Sequence, residues 1–471
     1  MRAAQAGDRA KVADLLSKAA DSSAVDADGT TALHWSVRRG DLATTKLLIK
    51  SGAKVGAADR YGITPMSLSS LNGNAELTAA LVAAGADVES PNPAGETALM
   101  FAARNGSVPT LELLVQRGAS VNAKERVRGQ TALMWAVGED HQDAVRFLIT
   151  HGADVNAQSS VYLPPPVAAQ RVAQAAGAGI IRQKAPAAPQ GAMSPLLYSV
   201  RDDNRAMVKL LLADGAKINQ SDANGTTSLL LALINGHIDL AKFLIEQSAD
   251  VNATDGYGRT PLFSAIDARN AGFYANPYTG SNETNALDLI KTLLDRGARP
   301  DVRTKAVVPY RGWQQTDGSW VNFTGQTPFL RAALAGDVIV MRLLLAHGAN
   351  PNLTTEGGTT PLMAAAGVNY VAGRTFTHSL NETLEAVKLC IENGADVNAQ
   401  NSLGFAAAHG AANRGLDDVL HLLAEHGANL DVKDKEGRTP ITFADGVFLA
   451  VTPPTPRPAT AKLIRELIQK I

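Results

Sequence analysis

Apolar and polar positions follow one another along this chain with the spacing of short amphipathic helices. Between Gly29 and Gly40 the apolar residues fall at helical spacing behind a threonine that can cap a helix, and the second glycine ends the segment. Asp41 can cap a further segment, residues 42–50, whose apolar residues again fall at helical spacing until Gly52. The pattern predicts a turn, a short inner helix, a longer outer helix and an extended return.

This unit is copied along the chain. The dipeptide Gly-Ala recurs at Gly52, Gly85, Gly118 and Gly152, at steps of 33, 33 and 34 residues. A Thr-Ala-Leu or Thr-Pro-Leu motif runs in phase with it, beginning at Thr31. One unit cannot bury its apolar face alone, whereas stacked copies can, so the sequence predicts a one-dimensional solenoid of helices.

The repeated motifs resemble the ankyrin repeat family over nearly the whole chain. The family's G-x-T-P-L-H-x-A-A opening is matched best at residues 29–37 and 95–103, and its G-A-D-V-N-A ending at residues 152–157 and 394–399. The resemblance implies an all-α solenoid of about eleven helix–loop–helix repeats with hairpin fingers and an N-terminal half-cap. One copy has Ala406 in place of the usual threonine, so we expect a weaker helix cap there.

The period breaks at five places, where we predict insertions. The phase of the two markers places the first and third insertions at the fingers, and the second, fourth and fifth between an inner and an outer helix. Inter-helix insertions therefore fall in every second repeat, and we expect them to neighbour one another on one edge, as insertions on a binding face do. The predicted organisation is a capping repeat at residues 1–27, repeats 1–4 at 28–158, a Pro/Ala-rich insertion at 159–193, repeats 5–7 at 194–301 with an insertion at 271–284, an aromatic hairpin insertion at 302–323, repeats 8–11 at 324–445 with an insertion at 368–381, and a Pro-rich loop with a capping helix at 446–471.

Aromatic residues are concentrated in the insertions, which hold 11 of the 23 Phe, Trp and Tyr residues. Trp and Tyr are enriched at the energetic centres of protein interfaces, so we predict that insertion rings contact a partner. The other interpretation is that these rings pack their own loops onto the repeats. The third insertion has the pattern of a β-hairpin with its turn at Asp317-Gly318. The predicted partner-binding rings are Tyr310, Trp313, Trp320 and Phe323 in this insertion and Tyr274, Tyr278, Tyr370 and Phe376 on the other edge.

Composition narrows the classes of function and leaves the compartment open. The 44 basic residues are balanced by 45 acidic ones, whereas a nucleic-acid binder carries a basic excess. No apolar run is long enough for a membrane-spanning helix, and the single cysteine cannot form an internal disulfide. The Ala-rich repeats and long insertions resemble those of bacterial ankyrin proteins, some of which are exported, so both cytoplasm and periplasm are possible compartments.

Candidate catalytic chemistry is sparse. Most of the nine histidines hold fixed positions in the repeat, and only His378 and His421 fall outside that register, where neither has ligand spacing to a second histidine or a carboxylate. Cys390 falls in a core position of an outer helix, as expected of a buried small residue. The sequence contains no P-loop, nucleophile elbow or dinucleotide motif. We therefore predict no catalytic residue, no cofactor and no metal site.

These features favour a non-catalytic scaffold that binds a protein partner through the concave groove, the fingers and the aromatic insertions. We expect a monomer with no nucleic-acid partner and no membrane insertion. Two other classes stay open. One is a solenoid that binds a small molecule or glycan on its rings, and the other is an enzyme whose site forms between insertions.

Overall fold

The fold is described from a computed structural model of the chain. The description covers residues 1–164, 187–270, 283–308, 321–370, 377–447, 449 and 453–470. Two compact units can be distinguished. The N-terminal unit comprises Met1–Tyr162 with Pro189–Ala223, and the C-terminal unit comprises Leu163–Ala188 with Asn224–Ile471.

The described part of the N-terminal unit is a stack of helix pairs, each with a short inner helix and a nine-residue outer helix. Inner helices pack against neighbouring inner helices, and outer helices pack against neighbouring outer ones. The helices are α1 (Arg2–Ala6), α2 (Arg9–Ser17), α3 (Ala32–Arg38), α4 (Leu42–Lys50), α5 (Pro65–Leu71), α6 (Ala75–Ala83), α7 (Ala98–Asn105), α8 (Val108–Gln116), α9 (Ala132–Gly138), α10 (Gln142–Thr150), α11 (Pro195–Arg201) and α12 (Arg205–Ala213).

The C-terminal unit continues the same alternation, but three of its outer helices have 13 residues where the others have nine. Each of these longer helices follows a predicted inter-helix insertion. The helices are α13 (Ser228–Asn235), α14 (Ile238–Glu246), α15 (Pro261–Arg269), α16 (Glu283–Asp295), α17 (Pro328–Ala335), α18 (Val338–Ala346), α19 (Pro361–Ala365), α20 (Leu380–Glu392), α21 (Ala407–Arg414), α22 (Asp417–Glu425), α23 (Pro440–Gly446) and α24 (Pro458–Lys470). This all-α architecture is the predicted ankyrin-type solenoid.

Local sequence sets where the inner helices begin and end. The hydroxyl of Thr97 accepts a hydrogen bond from the backbone N–H of Met100 at 3.4 Å, which satisfies a free donor in the first turn of α7. Gly106 ends the same helix in the left-handed conformation, with φ of 78°. A β-carbon is strained in that conformation, so glycine is the residue that fits there.

His34 joins two repeats. Its Nδ1 accepts a hydrogen bond from the backbone N–H of Thr31 at 3.2 Å, and its Nε2–H donates to the carbonyl oxygen of Ile63 in the next repeat at 3.0 Å. The ring is buried, with 2% of its surface exposed. The histidine of the T-x-L-H motif therefore stabilises both its own turn and the contact with the next finger.

His409 repeats this arrangement in the C-terminal unit. Its Nδ1 accepts from the backbone N–H of Ala406 at 3.0 Å, and its Nε2–H donates to the carbonyl oxygen of Arg438 at 3.2 Å. Alanine has no side-chain acceptor, and α21 begins without a side-chain cap hydrogen bond. This absence agrees with the weaker cap that the sequence predicts at Ala406, and the strength of the cap stays a prediction.

We expect the chain to lose stability as the pH falls below about 6.5, the ordinary pKa of histidine. Burial lowers the pKa of both His34 and His409, although their hydrogen bonds to carbonyl oxygens oppose this shift. Below about pH 6.5 these histidines therefore bind more protons in the unfolded chain than in the folded chain. The free energy of unfolding falls as the pH drops from about 6.5 towards the lowered pKa values of the folded chain. Each histidine contributes at most about 1.4 kcal/mol per pH unit.

Urea denaturation at pH 7.5 and 5.5 measures this loss. The double variant His34→Gln, His409→Gln should show a smaller difference between the two pH values than the unmodified chain. The variant His421→Gln, at an exposed position of α22, is the matched control and should keep the original difference. An unchanged difference in the double variant would show that other groups cause the acid sensitivity.

Asparagine side chains and finger backbones join each repeat to the next. Nδ2 of Asn156 donates to the carbonyl oxygen of Gly215 at 3.1 Å, and its Oδ1 accepts from the backbone N–H of Lys217 at 2.8 Å. At the fingers, the backbone N–H of Arg126 donates to the carbonyl oxygen of Ala94 at 2.7 Å. The same side-chain bond to the carbonyl of a following repeat is made by Asn122, Asn252, Asn352 and Asn398.

The insertions begin and end at defined points of the stack. Two short strands, β1 (Val161–Tyr162) and β2 (Gln190–Gly191), pair antiparallel at the base of the first insertion. The residues of the third insertion that carry the expected hairpin turn at Asp317-Gly318 lie outside the described residues. At the inter-helix edge, Asn270 ends α15 just before the second insertion, and it contacts His378 of the fourth insertion.

Candidate partner-binding groove

Aromatic side chains of the N-terminal unit lie at one position of successive inner helices, four residues after the capping residue. Phe101, Trp135 and Tyr198 hold this position in α7, α9 and α11, and Trp35 holds it in α3. Because neighbouring inner helices pack side by side, equivalent positions form a row across the stack. The row on α7, α9 and α11 underlies a groove.

The groove lies between the inner helices and the finger at residues 125–130. It encloses about 420 Å³, a volume in the range of ligand-binding clefts. Its lining combines two aromatic rings with charged and polar side chains from helices and finger. The lining residues are Glu96, Arg104, Glu125, Val127, Arg128, Gln130, Met134, Trp135, Gly138, Glu139, Tyr198 and Arg201.

Trp135 is the central ring of the groove floor. Phe101 meets it edge to face, with 5.9 Å between ring centroids and an interplanar angle of 80°. Tyr198 is buried on the other side, and its hydroxyl accepts a hydrogen bond from Nε2 of Gln130 at 2.8 Å. The Trp135 ring is half-buried, and its Nε1–H is covered and has no hydrogen-bond acceptor among the described residues.

Two arginines lie over these rings. The Arg104 guanidinium is 5.8 Å from the centre of the Trp135 ring, and its Nε is 3.4 Å from Oε1 of Glu139. The Arg201 guanidinium is 5.1 Å from the Tyr198 ring, and hydrogen bonds to Asp202 raise its pKa. The floor therefore combines flat apolar rings with fixed positive charge, a composition enriched at interface centres.

The finger wall is more exposed than the floor. Glu125 is buried, and its carboxylate accepts hydrogen bonds from the backbone N–H groups of Val127, Arg128 and Gln130, which fixes the shape of the finger. Val127 at the tip is 72% exposed. The Arg128 guanidinium has no ion pair or hydrogen bond within the described parts of the chain. This wall offers an apolar surface and a cation to a partner.

Six of the eight rings predicted to bind a partner lie outside the described residues. Phe323 and Tyr370 are described, and both contact their own chain. Phe323 is buried, with 6% of its surface exposed, and Tyr370 is half-buried beneath the Arg414 guanidinium, 4.4 Å from the ring centre. These two rings fit the interpretation that insertion aromatics pack loops onto repeats. The assignment of the eight rings to a partner stays a prediction.

A buried polar network in the C-terminal unit connects the ends of two insertions. The Arg331 Nε donates to Asp267 at 2.6 Å, and Arg269 Nε donates to Asp337 at 2.8 Å. Three of these four side chains are at most 5% exposed, and Asp267 is 22% exposed. Removing a charge from water costs free energy, and pairing each arginine with an aspartate offsets that cost for these buried side chains.

Asn270 and His378 extend this network. Nδ2 of Asn270 donates to Asp337 at 3.2 Å, and its Oδ1 accepts from Nε2–H of His378 at 3.1 Å. The backbone N–H of His378 donates to the carbonyl oxygen of Ala335 at 2.9 Å. The fourth insertion is thus fastened to the intervening repeat and to the end of the second insertion.

The structure brings two carboxylates close to His378, which the sequence did not predict. Its Nδ1 lies 3.9 Å from Oε1 of Glu382, one helical turn onward, and its Nε2 lies 4.0 Å from Oδ2 of Asp337. No group of three or more potential metal ligands forms among the residues that the structure describes. The expected burial of Cys390 is confirmed, and burial raises the pKa of its thiol to about 12.

Sequence reasoning missed the groove because it searched the insertions for aromatic residues. The signal was present at the fourth position after the caps Thr97, Thr131 and Ser194, where the rings recur in consecutive repeats. Aromatic residues at such positions also occur in ordinary cores. Only the packing of neighbouring inner helices against the finger shows that two of these rings, Trp135 and Tyr198, border a cleft.

Comparison with known proteins identifies the family. A family model described as ankyrin repeats in three copies matches residues 1–92, 71–159, 187–275, 278–373 and 376–445. The chain belongs to the ankyrin repeat family. Ankyrin repeats are protein–protein interaction modules, and this is the class of protein that the stack and its groove define.

Curated relatives match shorter stretches. The chain is similar to serine/threonine-protein kinase 12 of Arabidopsis thaliana, with 42% identity over 65 residues, 14% of each chain. It is similar to "Probable E3 ubiquitin-protein ligase XBOS34" of Oryza sativa subsp. japonica, with 32% identity over 111 residues, 23% of this chain and 19% of that protein. It is also similar to human BCL-6 corepressor-like protein 1, with 36% identity over 77 residues, 16% of this chain and 4% of that protein.

The chain thus spans less than a fifth of the length of each of these three relatives. Among the described residues, no helix is both long and apolar enough to cross a membrane.

Proposed function

We propose that the chain is a non-catalytic scaffold that binds a protein partner through the groove of its N-terminal unit and the finger beside it. One observation carries the proposal. Trp135, Tyr198, Arg104 and Arg201 converge in one cleft, next to an exposed valine on the finger. Trp, Tyr and Arg are the residue types that contribute most binding energy at protein interfaces.

The groove is also held in shape before a partner arrives. The Glu125 carboxylate fixes the finger through three backbone N–H groups, and Gln130 is tied to the Tyr198 hydroxyl. A surface that is already ordered loses little conformational freedom on binding, so more of the contact energy appears as affinity. The insertion rings Tyr310, Trp313 and Trp320 are proposed as a further contact region of the same scaffold.

A quantitative pull-down from source-cell extract tests the groove. The bait Val127→Asp places a charge on the exposed finger wall without changing a buried residue, and we expect its capture of the partner to fall at least tenfold. Ile339→Asp is the matched control, because Ile339 is an aliphatic residue, 52% exposed, on the outer helix α18. It should capture as much as the unmodified chain.

The other possible results of the pull-down locate the binding site on the chain and identify the chemical class of its ligand. Equal capture of the partner by both variants would show that the binding site lies outside this groove. A third bait, with residues 305–323 replaced by a short turn, would then test the third insertion. Failure of all baits to capture a protein would contradict the scaffold and favour a small-molecule or glycan ligand.

A further inference from the structure

One interface of the N-terminal unit is an exception to the bonding between neighbouring repeats. The second finger with its return, residues 53–63, and the third finger with its return, residues 86–96, share no hydrogen bond or ion pair, although all of these residues are described. In the described parts of this unit, every other pair of neighbouring fingers is joined by a backbone N–H that donates to a carbonyl oxygen. These bonds run from Arg60 to Asp28, from Arg126 to Ala94, from Ser160 to Arg128 and from Ala223 to Gly191.

Pro93 accounts for the missing backbone bond. It holds the place in the third finger that Arg60 holds in the second finger and Arg126 in the fourth. Proline has no N–H, so the carbonyl oxygen of Tyr61 accepts no hydrogen bond from any described residue. The two fingers still lie close together, since a β-carbon on Gly62 would meet Cδ of the proline ring. They are therefore in contact but not bonded.

Gly56 accounts for the missing side-chain bond. It stands four residues after Gly52, as Asn122 stands four residues after Gly118. The Asn122 Nδ2 donates to the carbonyl oxygen at the end of the next outer helix at 2.8 Å. Glycine has no side chain, so the corresponding carbonyl oxygen, that of Gly85, accepts no hydrogen bond from the described residues. Two substitutions thus remove both ties from the same pair of fingers.

The opposite edge of this interface stays bonded. The hydroxyl of Ser107, between α7 and α8, donates to the carbonyl oxygen of Gly73, between α5 and α6, at 2.9 Å. Between the two edges, α5 packs against α7 and α6 packs against α8. Apolar packing has no preferred direction, whereas a hydrogen bond fixes a distance and an angle. The helices can therefore tilt about the bonded edge while the fingers separate.

We propose that this interface is a hinge, at which the second and third fingers open and close about a pivot at the Ser107–Gly73 bond. The third finger lies beside the finger at residues 125–130, which forms a wall of the groove. Movement of the hinge changes the distance between that wall and Tyr61, whose side chain is 61% exposed on the second finger. The hinge goes beyond the proposed function and stands whether or not a protein occupies the groove.

Distances between two nitroxide spin labels on the full chain test the hinge. Labels at Ala27→Cys and Arg126→Cys lie at exposed positions of the fingers before the second and after the third. Three spacings of packed layers separate them by roughly 25–30 Å, which electron–electron double resonance measures. Cys390 is fully buried and stays unlabelled. We expect two distance populations, a shorter one for the closed fingers and a longer one for the open fingers.

Four further substitutions in the labelled chain separate the two bonds from other effects. Gly56→Asn supplies the missing amide and Pro93→Ala the missing N–H, so each should lower the population of long distances about fivefold. Gly56→Ala adds a side chain without a donor, and Pro91→Ala removes a proline where the equivalent N–H groups of Ala58 and Lys124 bond to no other finger. These two matched controls should leave both populations unchanged. All substituted positions are exposed, and nothing lies within 4 Å of a β-carbon at Gly56.

A single narrow distance distribution in the chain that carries only the two labels would overturn the proposal, because the interface would then be rigid without the bonds. An equal effect of Gly56→Asn and Gly56→Ala, or of Pro93→Ala and Pro91→Ala, would also contradict it, because the missing donors would then not decide the movement. None of these results changes the capture of a partner by the groove variants, so the scaffold function is tested separately.

Discussion

Replacing Asp337 by alanine is expected to lower the free energy of unfolding of the C-terminal unit by about 3–5 kcal/mol. The Asp337 carboxylate is 1% exposed and accepts hydrogen bonds from Arg269 at 2.8 Å and from Asn270 at 3.2 Å. The alanine substitution removes the carboxylate that pairs with the buried Arg269 guanidinium. It also removes the cap of α18, because Oδ1 of Asp337 accepts from the backbone N–H of Val340 at 3.3 Å.

Asp295→Ala is the control for this prediction. Asp295 also has a side-chain partner in the C-terminal unit, since its Oδ1 lies 3.4 Å from Nε2 of His347, but its side chain is 58% exposed. Exposed pairs contribute about 0–1 kcal/mol, so this variant should remain close to the unmodified chain. Urea denaturation followed by circular dichroism measures both, and hydrogen exchange should show early opening at α15, α17 and α18 in Asp337→Ala alone. Equal losses in the two variants would show that the buried network contributes no more than a surface pair.

Gly410→Ala is expected to destabilise the C-terminal unit by about 1–3 kcal/mol, although alanine forms helices better than glycine by about 1 kcal/mol. Gly410 lies within α21, and a β-carbon there would lie 2.4 Å from the backbone nitrogen of Val368 and 2.7 Å from the carbonyl carbon of Gly367. Both neighbours are backbone atoms of the turn that follows the five-residue helix α19. A backbone turn cannot move aside as a flexible side chain can, so overpacking outweighs helix propensity.

Gly138→Ala is the matched substitution with the opposite expected sign. Gly138 is the last residue of α9, and no atom lies within 4 Å of the position its β-carbon would take. Only the helix propensity changes there, so the variant should be more stable by up to about 1 kcal/mol. Thermal melting of the two variants beside the unmodified chain measures the signs. A shift in the same direction for both would mean that propensity, and not the contact with the turn, decides the effect at Gly410.

One position of the inner helix serves different purposes in the two units. Four residues after the cap, the N-terminal unit has Trp135 and Tyr198, which border an open groove. The C-terminal unit has Arg331 at the same position of α17, where it is buried by its pairing with Asp267 and by a bond to the carbonyl oxygen of Asn270. The repeat fixes where a side chain is placed. The chemistry of the neighbouring repeats decides whether that place is an open site or part of the interior.

The sequence by itself determined the repeating architecture of this protein. The caps, the helix ends and the repeat motifs depend on residues within a few positions of one another, as between Thr97, Met100 and Gly106, so they can be read from a short window. The burial of Cys390 follows from its place on an apolar helix face for the same reason. The identity of the family needed no more than these local patterns.

The tertiary structure alone decided which residues form the groove and the buried network. Asn270 and His378 are 108 positions apart, and Gln130 and Tyr198 are 68 apart, with insertions of irregular length between the members of each pair. No local pattern encodes such contacts, because they depend on how neighbouring helices pack and where a chain returns after an insertion. The unpartnered Trp135 Nε1–H is a consequence of that packing, since the sequence shows a tryptophan but not the acceptors that surround it.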